Sequence, residues 1–179
     1  MNILLFGASG SGTTTLGIEI AKRSDFQHLD ADDYYWKQTN PPFQEKVQLT
    51  ERNENLKADI KRFKDVIVSG SLVSWGKEWH TAFDLAIFIR LDHAVRMERL
   101  KQRETERYGV ALLSNKKLHE QSKAFLDWAS QYDNPKFNGR SIKVHENWIE
   151  LLDCEVLTLD GQKELAAKAE IVLEKIKAI

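Results

Sequence analysis

A glycine-rich segment near the N-terminus carries the strongest chemical signal in the sequence. Gly7 and Gly12 are separated by four residues, and Thr13 and Thr14 follow Gly12. This spacing matches the phosphate-binding loop G-x-x-x-x-G-K-[ST] at every defined position except the lysine, which is Thr13 here. Glycines let successive backbone N–H groups surround phosphate oxygens at the start of a helix. The predicted nucleotide-binding residues are Gly7, Ala8, Ser9, Gly10, Ser11, Gly12, Thr13, Thr14 and Thr15.

The threonines of this loop have different predicted roles. Thr14 occupies the position of the hydroxyl that ligates Mg²⁺ in the motif. Thr15 is placed to contact an α-phosphate or to cap the first helical turn. Thr13 cannot supply the positive charge of the missing lysine. The loop is therefore predicted to bind phosphate although it lacks the lysine that supplies a positive charge in the motif.

Two other interpretations of the glycine segment remain open. A dinucleotide site would place an acid about twenty residues after the loop, where Asp30 lies. Tyr132 and Lys136 also have the spacing of a dehydrogenase pair, but Pro135 would break the helix that such a pair needs. The dinucleotide motif requires a third glycine at the position that Thr15 occupies, so the motif is incomplete. The remaining interpretation is a purely structural turn.

A cluster of acids follows the second predicted strand. Asp30, Asp32 and Asp33 lie where that strand leaves the sheet, on the side of the glycine loop. One of them is placed to accept a proton from an acceptor hydroxyl, and another to hold Mg²⁺ through water. Asp32 is the stronger candidate for both the catalytic and the metal role. The alternative is that one acid caps the next helix and the others are solvated.

Arginines recur along a later helical segment. They are spaced by three or four residues and so share a helix face, as Arg96, Arg99, Arg103 and Arg107. Phosphoryl transfer requires cations around the migrating group, and the planar guanidinium suits phosphate geometry. Arg103 and Arg107, with Arg140 after an Asn-Gly pair, are the predicted phosphate-contacting arginines. A solvated charged face, neutralised by neighbouring glutamates, is the alternative.

Metal and aromatic signals are weaker. His119-Glu120 begins like a zinc helix motif, but Lys123 stands where the second histidine is required. Aromatic residues near the acids and near the third strand are candidates to line an acceptor pocket, although core packing is the commoner role. They are Tyr34, Tyr35, Trp36, Trp75 and Trp79.

Composition limits the possible class of protein. The chain has 179 residues, of which 42% are hydrophobic and 30% charged, and its net charge is −1. This balance excludes wholesale disorder and gives no overall basic field for nucleic acid. No apolar run approaches the roughly 20 residues of a membrane span, and no signal peptide is recognised. Cys154 is the one cysteine, so no internal disulfide can form, and we expect a cytoplasmic protein.

Hydrophobic patterning predicts an α/β fold with a five-stranded parallel sheet and helices on both faces. The expected strands alternate with helices and lie at about 2–6, 26–30, 66–71, 84–90 and 155–159. Ligands of such sheets bind at the carboxyl ends of the strands. We expect one domain over 1–179, with excursions over the binding face at about 34–63 and 103–145.

In these motifs the chain resembles the P-loop nucleoside-monophosphate and small-metabolite kinases, the adenylate kinase and shikimate kinase group. The likeness covers most of the chain in the family's order, although only the glycine loop is specific by itself. It extends to His28–Asp32, to the strand and arginine-rich helix of 84–103, and to the last strand with the adenine-side loop at 154–161. The resemblance implies the P-loop nucleoside triphosphate hydrolase fold, with ATP and Mg²⁺ as cofactors and a small-molecule phosphate acceptor. Two departures are the missing lysine and a third strand that ends Ser69-Gly70-Ser71 without a carboxylate.

The sequence therefore predicts an ATP-dependent phosphotransferase that acts on a nucleotide or a small hydroxylated metabolite. Its catalytic candidates are Asp30, Asp32, Arg103, Arg107 and Arg140. The alternative is a nucleotide-binding regulatory or adaptor protein that has lost phosphoryl transfer. A small dehydrogenase is the third possibility. No nucleic-acid or membrane partner is expected.

Overall fold

The computed structural model describes residues 1–179 and contains one parallel sheet of five strands. The strands are β1 (Asn2–Gly7), β2 (Gln27–Asp30), β3 (Val66–Ser69), β4 (Leu85–Arg90) and β5 (Glu155–Asp160). Their order across the sheet is β2-β3-β1-β4-β5, which confirms the predicted fold class. The observed strands begin and end within two residues of the predicted positions.

Eight α-helices surround the sheet. They are α1 (Thr13–Lys22), α2 (Ala31–Tyr35), α3 (Leu49–Arg62), α4 (His93–Tyr108), α5 (Ala111–Ser114), α6 (Lys116–Ser130), α7 (Ile142–Ile149) and α8 (Leu165–Lys177). Short 3₁₀ turns span Lys77–His80 and Gln131–Asp133. None of the helices combines the length and apolar character that a bilayer crossing requires.

The central strand β1 connects the two halves of the core. Its side chains alternate between the faces, as the twofold period of a strand requires. Ile3 and Leu5 pack in a cluster with residues of α1 and α8, whereas Leu4 and Phe6 pack in the opposite cluster with Leu56 of α3 and Trp148 of α7. Each such apolar side chain contributes about 1.5–3 kcal/mol when fully buried. Both faces of β1 are covered, which explains its continuous apolar sequence.

The carboxyl ends of the strands all lie at one edge of the sheet because every pair is parallel. In the register, Leu5 pairs with Ser69, and Ser69 also pairs with Asp30. The glycine loop after β1, the acids after β2 and the Ser69–Ser71 segment after β3 therefore start at neighbouring positions of one edge. This edge is where the candidate site lies.

Candidate functional site

The loop between β1 and α1 has the backbone of an anion cradle. Gly10 and Gly12 have φ values of 83° and 93°, in the left-handed region that glycine adopts without steric cost. Gly12 is the N-cap of α1, and no side chain caps this helix. The first N–H groups of α1 are consequently left without partners and are directed to the mouth of the loop.

The threonines occupy the first turn of α1. The Thr13 side chain is half-buried, whereas the side chains of Thr14 and Thr15 are exposed. The structure contains no group of three or more His, Cys, Asp or Glu that could enclose a metal ion. Mg²⁺ usually keeps several waters and is held by one or two protein groups together with phosphates. The exposed Thr14 hydroxyl at the start of α1 fits that kind of site.

Arg140 reaches the glycine loop from the segment that precedes α7. Its Nη2 donates a hydrogen bond to Ser9 Oγ at 3.1 Å, and its guanidinium carbon lies 4.9 Å from the centre of the Trp128 ring. Burial lowers the pKa of Arg140, while the charge of Asp32 acts in the opposite direction. Its recorded partners are a hydroxyl and an aromatic ring, so its charge is not neutralised by an ion pair. The structure therefore brings one predicted arginine to the loop.

Asp32 is close enough to the predicted arginines for their charges to act on it. Burial and the neighbouring Asp30 raise its pKa, and the charges of Arg140, Arg103 and Arg107 oppose that rise. The side chain nevertheless remains accessible to solvent. Asp32 thus lies within range of the charges of three guanidinium groups and forms an ion pair with none of them.

Asp30 and Asp33 have different surroundings. The Asp30 carboxylate accepts a hydrogen bond from the backbone N–H of Asp32 at 2.9 Å and caps α2. This is the capping role that the sequence left open as an alternative. Asp33 is exposed, and burial followed by the charge of Asp30 raises its pKa. Asp32 is the acid that the structure brings among the arginines.

The arginines of α4 do not act as one stripe. Arg96 is fully buried, and its Nη2 lies 2.6 Å from Asp133 Oδ2. Arg99 Nη1 would lie 4.0 Å from a Cβ placed on Gly12, so this side chain runs beside the glycine loop. Arg107 is paired with Glu104 at 3.1 Å and lies 4.3 Å from the centre of the Phe43 ring. Arg96 therefore has a structural role, whereas the later arginines of α4 lie near the cleft.

Arg103 remains on the cleft side of α4. Its guanidinium carbon lies 5.8 Å from the centre of the Phe125 ring. Burial and then the charge of Arg107 lower its pKa, whereas Glu104 and Asp32 act in the opposite direction. Arg103 is thus close enough to Asp32 for their charges to interact, without a direct ion pair.

A cavity of about 110 Å³ adjoins Asp32. Its walls come from α2 and the segment after it, and are formed by Asp32, Asp33, Trp36, Lys37, Gln38, Thr39, Pro42 and Phe43. Trp36 therefore lines a pocket, as one interpretation of the aromatics predicts. Trp75 and Trp79 are instead buried in the core, at 2% and 1% exposure.

Arg52 of α3 is a candidate site residue that the sequence analysis missed. It is 9% exposed, and its guanidinium carbon lies 4.4 Å from the Tyr35 ring centre and 4.7 Å from that of Trp75. Its Nε is buried without a hydrogen-bond partner. The available signal is its position on the apolar face of α3, between Leu49 and Leu56, where an arginine is out of place.

Comparisons with known proteins identify the family and the fold. Residues 3–123 match the sequence model of a family described as AAA domain. The chain is 38% identical to the uncharacterized protein YqaC of Bacillus subtilis over 177 residues, which cover 99% of this chain and 98% of that protein. It is 28% identical to a cytidylate kinase of Methanococcus vannielii over 123 residues, or 63% of this chain and 71% of that enzyme.

A solved structure has the same fold. The shikimate kinase of Acinetobacter baumannii in complex with shikimate superposes with a TM-score of 0.60 and 17% identity, and the match covers 99% of this chain and 93% of that chain. At this identity the likeness shows the fold alone. The predicted likeness to P-loop kinases is confirmed.

Proposed function

The chain belongs to the AAA domain family of P-loop proteins, and from this premise we propose that it is an ATP-dependent phosphotransferase with a small, anionic acceptor. The observation that carries the proposal is the convergence of Arg140 on Ser9 of the glycine loop and of Asp32 on the same cleft. A cradle of backbone N–H groups, an unneutralised cation and a carboxyl group are what phosphoryl transfer requires.

Each group has a proposed task. The cradle of Gly7–Thr15 binds the ATP phosphates, and Thr14 would hold Mg²⁺, with Asp32 as a contact through water. When bound, Mg²⁺ would neutralise part of the phosphate charge. With a hydroxyl acceptor, Asp32 orients the hydroxyl and accepts its proton, for which a raised pKa is favourable; with a nucleoside monophosphate the attacking phosphate oxygen carries no proton to remove, and Asp32 acts only through the metal-bound water. Arg140 neutralises charge on the transferred group, and Arg103 and Arg107 lie on the opposite side of the cleft.

Arg52 supports an acceptor that carries an anionic group. An arginine that is nine-tenths buried and has no acid partner is costly unless an anion completes the site. A nucleoside monophosphate and a hydroxylated carboxylic acid both meet this requirement. The similar cytidylate kinase favours the first class of acceptor, and the similar shikimate kinase fold accommodates the second.

The test is phosphate transfer from ATP to matched acceptors. We expect transfer to nucleoside monophosphates or to a hydroxy acid, and none to the corresponding neutral nucleosides or alcohols. Arg52→Met should raise the acceptor KM by about 10- to 100-fold, because a charge-assisted hydrogen bond contributes about 1.5–3 kcal/mol. The ATP KM should stay unchanged.

Arg62 provides the matched control for Arg52. It lies on the same helix α3, and its guanidinium carbon is 5.4 Å from the centre of the Phe63 ring, but its side chain is exposed. Arg62→Met should leave both KM values unchanged. Equal effects of the two substitutions would contradict the anionic-acceptor assignment.

The regulatory or adaptor role is the second candidate, and Thr13 is the observation that favours it. A loop without its lysine retains the backbone cradle but lacks one cation for transfer. ATP binding without transfer to any acceptor would support this role over the kinase.

Magnesium dependence provides a separate prediction. Thr14→Ala should remove about ten-fold or more of the enhancement that Mg²⁺ gives to ATP affinity, because its hydroxyl is the proposed ligand. Thr13→Ala is the matched control and should change the enhancement little. Titration calorimetry with and without Mg²⁺ measures both. The reverse pattern would mean that the metal-binding hydroxyl is assigned to the wrong threonine.

A further inference from the structure

Three hydroxyl and imidazole groups form a buried chain behind the cleft. His145 Nε2 lies 2.8 Å from Ser71 Oγ, and His145 Nδ1 lies 2.7 Å from the Tyr132 hydroxyl. Their exposed fractions are 9% for Ser71, 0% for His145 and 6% for Tyr132. The three residues come from separate parts of the polypeptide, namely the segment after β3, the helix α7 and the 3₁₀ turn after α6. This chain of hydrogen bonds has no role in the function proposed above.

Within this hydrogen-bonded series, Ser71 is the residue on the acceptor side of the cleft. Ser69 and Asp30 are paired in the sheet. Ser71 and Asp32 each come two residues after this pair, at the same edge of the sheet. A Cβ placed on Gly70 would lie 2.7 Å from the Ala31 side chain, so the two segments after β2 and β3 run in contact. Ser71 retains a small exposed surface next to these segments.

His145 is held as a neutral imidazole. Its ring is packed edge-on against Phe6 and Phe88, at centroid distances of 5.5 and 5.7 Å. Burial, followed by the charge of Arg140, lowers its pKa to about 3. A neutral imidazole has one N–H donor and one acceptor nitrogen. One of the two neighbouring hydroxyl groups must therefore donate to His145 and the other must accept from it.

The acidity of the hydroxyls decides the direction. A neutral phenol is a stronger hydrogen-bond donor than the aliphatic hydroxyl of serine, and burial raises the pKa of Tyr132, so the phenol keeps its proton. The distances fit either tautomer, and this difference in donor strength favours the one in which Tyr132 donates to Nδ1 and Nε2–H donates to Ser71 Oγ. In this arrangement the proton of the Ser71 hydroxyl has no acceptor within the chain of three residues and is free to donate to a bound molecule.

We propose that Ser71 donates a hydrogen bond to an oxygen of the phosphate acceptor, and that His145 and Tyr132 are positioning residues that fix the direction of this bond. The inference rests on the proposed function, because it assumes an acceptor bound beside Asp32. It adds to that function a residue that selects acceptors with an oxygen lone pair at this position. Neither positioning residue touches the acceptor.

The tautomer of His145 gives the first test, and it needs no activity. ¹⁵N NMR of the histidine-labelled protein distinguishes a protonated Nε2 from a protonated Nδ1. We expect a neutral ring with the proton on Nε2 between pH 6 and 8. A proton on Nδ1 would overturn the proposal, even in a protein with full kinase activity. Absence of transfer to every acceptor would instead contradict the proposed function. The tautomer of His145 would still test the proposed direction of the hydrogen bonds.

A double-mutant cycle on the acceptor KM gives the second test. Ser71→Ala should raise this KM about ten-fold, the effect of about 1.4 kcal/mol, with kcat and the ATP KM changed little. Tyr132→Phe should raise it several-fold in the parent and have no further effect in the Ser71→Ala background. A purely structural tyrosine would give the same effect in both backgrounds, and that additivity would overturn the proposal.

Tyr34, a candidate for the acceptor pocket in the sequence, does not line the cavity beside Asp32 in the structure, so Tyr34→Phe is the matched control. It also removes a phenol hydroxyl that donates a hydrogen bond, to Asp59 Oδ2 at 2.7 Å, but outside the chain of three residues. Its effect on the acceptor KM should be absent or equal in the two backgrounds. An effect that disappears in the Ser71→Ala background would show that the coupling is not specific to Tyr132, and would also overturn the assignment.

Discussion

The Arg140→Ala variant is expected to lose about 10³-fold or more of its transfer rate, while ATP binding weakens much less. This is the effect of removing an arginine that stabilises charge in the transition state. Of the predicted arginines, Arg140 is the one that contacts the glycine loop, and its guanidinium group forms no ion pair. Steady-state phosphate transfer and titration calorimetry with ATP measure the two effects separately.

A second substitution tests whether Arg140 replaces the missing lysine. Thr13→Lys should restore part of the rate lost in Arg140→Ala, because lysine at this position extends toward the β- and γ-phosphates. In an adaptor protein the same substitution would only tighten nucleotide binding. Rescue of transfer therefore separates the two candidate functions.

The remaining arginines provide the comparison. Arg107 is already paired with Glu104, and Arg103 lies against Phe125, so alanine substitutions there should have smaller effects than at Arg140. Arg62→Ala, on the outer face of α3, should have none. Parental activity that survives removal of Arg103, Arg107 and Arg140 would contradict the replacement-cation mechanism.

The Gly12→Val variant is expected to lose ATP binding by about a hundred-fold or more. Gly12 has a φ of 93°, which a β-branched residue adopts only with strain, and it is the N-cap of α1. A valine would change the loop conformation and place methyl groups where the phosphates approach the first N–H groups of the helix. Titration calorimetry with ATP is the measurement.

Backbone strain alone must be excluded as the cause. Gly109 also has a positive φ, of 51°, and a Cβ placed on it meets no atom within 4 Å. Gly109→Val should lose about 1–3 kcal/mol of unfolding free energy, because side chains rarely adopt a φ of 51° with a ψ of −134°, and it should keep the parental ATP affinity. Equal affinity of Gly12→Val and the parent would show that the glycine loop is not the nucleotide site.

The fold and the loop could be predicted from sequence because both depend on local patterns. A continuous apolar run identifies β1 as a buried strand, and the spacing of Gly7 and Gly12 identifies the loop. A helix capped by one of the acids was an alternative, but the bounds of the short helix α2 were not predicted, because its start depends on the Asp30 side chain. Its five residues also give no periodic signal.

The functions of individual arginines could not be separated in advance. Helical periodicity places Arg96 on a common face with Arg103, but Arg96 is buried in the structure and forms an ion pair with Asp133, which is distant in the sequence. Arg52 was missed for the same reason, since its aromatic neighbours Tyr35 and Trp75 come from other segments. Local spacing identifies a helix face, whereas tertiary contacts determine what that face meets.

The central position of β1 has a consequence for how the chain folds during synthesis. This strand is made first, but its neighbours β3 and β4 end only at Ser69 and Arg90. At about 5–20 residues per second, Ile3, Leu4 and Leu5 have no sheet partners for several seconds of translation. The pairings are distant in sequence and parallel, so they close slowly. The nascent chain therefore presents an apolar strand without partners to chaperones and to aggregation until the fourth strand has emerged.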